Sequence, residues 1–231
     1  RRSGVWRAGW VTFRLARRVA RSACQARPDP LRSAGREPAP ADVAAGIEVA
    51  THGVGVQNLI TQAAAVVRAA EYTGEYSGWG TSTSDVYKSM ASHIDGLAAN
   101  TEIMPDGNTE AQNIATLKSL IEGAAQVAGL TGADLTEVQT VSDEVAAVMY
   151  AGVTQLQSAV DNNSDPIDAL TSMAEAAAVA QGSSAASITA AVDAVEADAA
   201  DTSLLYTLVS SYSGANLTAA LDNATIGDVT G

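Results

Sequence analysis

The 231-residue sequence is poor in cysteine, histidine and aromatic rings and, over most of its length, in positive charge. Cys24 is the one cysteine and lies near the N-terminus, so the rest of the chain can build neither a disulfide framework nor a thiolate metal site. The histidines are His52 and His93, and neither stands in the His-Glu-x-x-His spacing of a metalloprotease. The Gly-x-Ser-x-Gly elbow of a serine hydrolase is missing as well. With no base–nucleophile pair and no ligand set to name, the expectation is a non-enzymatic protein without catalytic residues, metal or cofactor. Long apolar runs are also missing. The longest uncharged stretch, 202–221, carries Ser203, Thr207, Ser210, Ser211, Ser213, Asn216 and Thr218, too many polar groups for insertion into lipid.

What is abundant is small and apolar. Hydrophobic residues make up 47% of the chain but aromatics only 4%, so alanine and valine supply much of the core. Each buries little area, at roughly 25 cal/mol per Å². Such a core needs close approach and many contacts. Helices suit it better than sheets, because alanine is the best helix former and is depleted in strands.

Charge divides the chain. Residues 1–40 hold ten of the thirteen basic residues against Asp29 and Glu37, a net +8. Residues 41–231 keep Arg68, Lys88 and Lys118 against 24 acids, a net −21. An asymmetry of this size marks two segments with different roles, a basic arm at 1–40 and an acidic helical domain at 41–231. The acidic part repels nucleic acid, whose binding depends on Lys and Arg neutralising phosphates. In the arm, Trp6, Trp10, Phe13 and Val19 form a short apolar face among arginines, and Pro28, Pro30, Pro38 and Pro40 then break any helix. Three readings remain for this Pro/Arg-rich arm: a targeting segment, a binder of anionic surfaces, or a disordered, non-native extension. The chain starts with Arg1, which is the expectation for a fragment or a processed product.

From Ala41 the pattern turns helical. Apolar residues recur at three-four spacing in six stripes: 56–70, 86–97, 114–127, 138–160, 167–177 and 188–199, with a last short helix opening at Leu204. The clearest stripe is Val138, Val141, Val145, Val148, Gly152, Leu156 and Val160. Start signals stand at Thr109 with Gln112, at Asp134 with Glu137, and at Asp165-Pro166, where an acceptor precedes proline. Gly129, Gly132, Gly182 and Gly214 are the expected helix ends. The reading is an all-α fold, an antiparallel helical bundle or array of about seven short helices.

Two polar motifs fail as sites. His52-Gly53-Val54-Gly55 lacks the third glycine and the preceding strand of a dinucleotide loop, and reads as a loop before the helix at Val56. Asp161-Asn162-Asn163-Ser164-Asp165 opens like a calcium loop. It then places Pro166 where glycine is required and Ser172 where a bidentate acid is required, so it reads as a helix–helix turn. The local anomaly is the stretch 71–80, followed by Tyr87, where rings and glycines interleave. Flexible backbone with Tyr and Trp is the composition of adaptable contact loops. Tyr72, Tyr76, Trp79 and Tyr87 are therefore the candidate binding residues, for a peptide or a carbohydrate. The competing reading is that the loop plugs one end of a core short of bulk.

The segment 165–231 resembles the Ala/Asp/Thr-rich helical spacers between repeat modules of large bacterial surface proteins, including RTX-type repeat adhesins. The residues that carry this are 187–195, Ser-Ile-Thr-Ala-Ala-Val-Asp-Ala-Val, and 216–221, Asn-Leu-Thr-Ala-Ala-Leu. The end, Ile226-Gly227-Asp228-Val229-Thr230-Gly231, resembles the lead-in to a calcium-repeat or dockerin module. The resemblance covers about a third of the chain. It implies an extracellular or cell-surface spacer or adhesion role, with neighbouring modules as partners, and it carries over no functional residue.

Overall fold

The computed structural model describes residues 40–71, 79–96, 104, 107–161 and 165–223. The chain divides into two units, Arg1–Val43 and Ala44–Gly231, and the described helices belong almost entirely to the second. The arm expected at 1–40 lies almost wholly outside the described residues.

Eight α-helices succeed one another: α1 Pro40–Glu71, α2 Trp79–Gly96, α3 Glu110–Ala128, α4 Gly132–Asp161, α5 Pro166–Ala178, α6 Ala185–Ala197, α7 Ser203–Ser211 and α8 Gly214–Asp222. A π-helical segment, Val179–Ser184, joins α5 to α6 without a break, so the described residues form seven helical rods and no strand. The all-α bundle read from the periodicity is the fold. Its members are less uniform than expected, since α1 runs for 32 residues and α4 for 30.

Local chemistry sets several ends. At α3, Thr109 Oγ1 accepts from the Gln112 amide, and Gln112 Oε1 accepts from the Thr109 amide at 2.8 Å. This reciprocal box satisfies two orphan donors. At α5, Asp165 Oδ1 accepts from the Ile167 amide at 2.7 Å, and Pro166 occupies the first turn, where its missing N–H costs nothing. Gly129 closes α3 in the left-handed region at φ 90°, which glycine adopts without steric penalty.

α4 is the centre of the bundle. It packs against α3, α5, α6 and α7. Val138, Val141, Val145, Val148 and Leu156 are buried along it, as the stripe implied. α3 runs antiparallel to α4 after a three-residue turn and adds Leu117, Leu120, Ile121 and Ala124 to the same core. α2 closes on α3 where Ser89 Oγ donates to the Leu120 carbonyl at 3.0 Å. A Cβ at Gly123 would stand 2.6 Å from that Ser89 oxygen, so the crossing requires glycine unless Ser89 moves.

Four local expectations are corrected. Residues 52–55 are not a loop: α1 runs through them, with Gly55 buried where a Cβ would touch Leu156 at 3.8 Å. Gly182 does not end a helix but lies inside the continuous π segment, and Gly132 and Gly214 open α4 and α8 rather than closing their predecessors. Asp134 is not the cap of α4, which starts two residues earlier and places Asp134 in its first turn. The buried face of α5 is Ala169, Met173 and Ala176, not Ile167 and Leu170, which are 72% and 51% exposed. The chain enters α5 through the Asp165 cap, and burial follows Met173, which packs with Leu156 of α4 and Ile47 of α1, one residue out of phase with the apolar pattern.

Candidate functional site

The sequence pointed to four aromatic residues. Tyr72 and Tyr76 lie outside the described residues. Trp79 is the first residue of α2, so the end of the Gly-rich stretch is helical rather than loop, and its side chain is also outside the described set. Tyr87, two turns into α2, is 49% exposed, and its hydroxyl lies 3.5 Å from Gln57 Oε1 on α1. This places Tyr87 at the α1–α2 seam, close in sequence to the connection that carries the other rings. His93 lies in α2 and His52 in α1.

A second constellation was not foreseen. Thr51, Asn58 and Gln62 form a polar line along α1, and all three are buried. Thr51 Oγ1 donates to the Ile47 carbonyl at 2.8 Å and lies 3.2 Å from Met173 Sδ. Gln181 Nε2 donates to Asn58 Oδ1 at 3.0 Å, and Gln62 Nε2 donates to Ser184 Oγ at 2.7 Å. Gln62 is 3% exposed and Ser184 1%, so this pair has little access to water. A buried polar group without a partner costs roughly 1–3 kcal/mol. The line therefore fixes which residue of the π segment meets which residue of α1. The signal available in the sequence was the seven-residue step from Thr51 to Asn58 and the four-residue step to Gln62, one stripe beside the apolar one.

Between α4 and the α7–α8 corner lies a groove of about 340 Å³. Val148, Ala151, Val209 and Leu217 form its apolar part, and Tyr150 and Tyr212 its aromatic part. Tyr212 is buried, and its hydroxyl is 3.1 Å from Ser187 Oγ on α6. Val148, Gln155, Tyr212 and Leu217 also border a narrower pocket that reaches Gln62 and Ser184 of the buried polar line. Neither tyrosine stood out in the sequence, because each sits singly among small residues.

Apart from Glu110 on the groove lining, charges lie around these features. Lys88 pairs with Asp85, and Lys118 bridges α3 to α4, with Asp143 Oδ2 at 2.6 Å and Glu122 Oε1 at 4.0 Å. The hydrogen bond to Asp143 holds the Lys118 ammonium above its ordinary pKa. Burial, reinforced by the carboxylates of Glu196 and Asp134, raises Glu137 above the usual glutamate value. Among the described residues no group of three His, Cys, Asp or Glu side chains could hold a metal ion, and no helix is long and apolar enough to cross a membrane.

No protein-family model, curated protein or solved structure matches the chain.

Proposed function

We propose that this chain is a non-enzymatic helical spacer or adhesion scaffold, one module of an acidic extracellular or cell-surface protein. The observation that supports it is the way the outer helical surface satisfies itself. The hydroxyls of Thr61, Thr116, Thr136, Thr140, Thr171 and Thr207 each donate to the carbonyl one turn back on their own helix. Such back-bonding leaves a surface with few donors on offer to a neighbour. The acids add mutual repulsion, with a net −21 on residues 41–231. High net charge of one sign keeps a protein soluble and monomeric, as a spacer between modules must be. Sequencing the coding region past Gly231 tests this: an open frame running into repeat modules supports a spacer, and a stop codon followed by no such module removes its context.

A second reading, a binding module that grips a peptide or carbohydrate, is favoured by the exposure of Tyr87 beside the aromatic connection. In the full chain with Trp6→Phe and Trp10→Phe, Trp79 is the sole tryptophan. Red-shifted emission with easy iodide quenching supports a contact surface. Blue-shifted, unquenched emission with a large stability loss in Trp79→Ala leaves the scaffold alone.

A further inference from the structure

We propose that the groove between α4 and the α7–α8 corner is a binding site for a small amine, one ammonium carried on a short apolar or aromatic body. This goes beyond a spacer role, for which no ligand is needed.

Size and lining come first. At about 340 Å³ the groove falls in the range of small-molecule sites. Its middle is hydrocarbon, from Ala147, Val148, Ala151, Val209 and Leu217, which suits a ligand body and not a sugar. Tyr150 and Tyr212 bring two of the few aromatic rings of the chain to the same place, and ring faces attract a cation within about 6 Å.

Charge decides the head group. Glu110, the first residue of α3, is the only described residue on the lining with a formal charge at neutral pH, and no described cation pairs with it. An anion entering here meets the Glu110 carboxylate and a strongly acidic body, whereas an ammonium is complementary to both. The opposite wall limits the charge to one. There α8 presents its first turn, and the Ser213 side chain does not cap it. Uncapped amides carry partial positive charge, so a second ammonium at that end is disfavoured. A monoamine fits and a polyamine does not.

The test is a titration of the ¹⁵N-labelled full chain followed by amide chemical shifts, with 2-phenylethylamine, 2-phenylethanol and phenylacetate as matched probes. The amine is expected to give saturable shifts centred on Ala147, Ala151, Thr154, Val209 and Ser213. The alcohol should bind more weakly, and phenylacetate weakest. Glu110→Gln should weaken the amine by up to about five-fold and leave the alcohol unchanged, the scale of a solvent-exposed ion pair. Thr154→Trp, at an exposed position on the groove rim, should block all three. Shifts that stay linear and scattered over the surface overturn the site. Equal binding of phenylacetate, or indifference of the amine to Glu110→Gln, overturns the assigned ligand class.

Discussion

The contact of α3 with α4 and that of α1 with the π segment solve the same packing problem by opposite means. The first is mainly apolar: Leu117, Ile121 and Ala124 sit in one core with Val138, Val141 and Val145, with a polar bond from Ser142 Oγ to Glu122 Oε1 at 3.1 Å across it and Lys118 meeting Asp143 at the edge. The second buries amides and hydroxyls that answer each other one to one, Asn58 to Gln181 and Gln62 to Ser184. Alanine and valine make close contact in many registers at similar energy, so an apolar seam gives strength without choosing an alignment. A buried amide without its partner is costly, so the polar seam chooses the alignment and contributes less net stability. In a core this poor in large side chains, the two tasks have been divided between helix pairs.

The apolar seam should show the largest loss. Ile121→Ala is expected to cost about 3–4 kcal/mol, because Ile121 is fully buried and its neighbours are too small to close the cavity; urea denaturation measures it. A loss under about 1 kcal/mol would mean this seam is not the strong one. The polar seam should respond less and in a coupled manner. Gln62→Ala is expected to cost about 1–3 kcal/mol by leaving Ser184 buried and unpaired, and Gln62→Leu with Ser184→Ala should recover most of it. Additive single effects in that cycle would remove the pairing argument.

A third substitution probes the α2–α3 crossing. Gly123→Ala should destabilise by about 1 kcal/mol, since Ser89 must move and yield its bond to Leu120, which outweighs the helix preference for alanine. In a Ser89→Ala background the same change should stabilise, and calorimetry of both backgrounds decides it. The smallest effect belongs to Glu137. Its pKa in the fold lies above the ordinary 4.5, so it favours folding while protonated, and that contribution is lost as pH rises through the folded value. Glu137→Gln should therefore add a few tenths of a kcal/mol at neutral pH, a figure reduced for solvent screening, and nothing below about pH 4. An equal gain at both pH values would point away from ionisation.

The helices of this fold were legible because their signals were local. The Thr109 box and the Asp165-Pro166 start need only neighbours along the chain, and the stripe from Val138 to Leu156 is long enough to average out exceptions. The errors arose where tertiary packing overrode local chemistry. Two glycines within 52–55 suggest a loop, yet α1 continues because Gly55 faces Leu156 and flanking residues find partners on other helices. Ile167 and Leu170 have the spacing of a buried face, yet the smaller Ala169 and Ala176 occupy it beside Met173. Of the candidate site, the sequence singled out Tyr87, and the fold sets its hydroxyl 3.5 Å from Gln57 Oε1 on α1. The groove could not be read, because its walls come from residues about sixty apart, and only folding brings Tyr150 to Tyr212.

The π segment also keeps time for the helix that contains it. In an uninterrupted α-helix each residue advances the face by about 100°, so Ile188, twelve residues after Ala176, would point about 120° away from it. One residue absorbed in a wider turn reduces that mismatch to about 20°. Both halves of the rod can then turn their apolar sides to α4. A chain one residue shorter between Val179 and Ser184 would hold the same phase as a plain α-helix, so there a deletion is a change of length, whereas a further insertion is a change of partner.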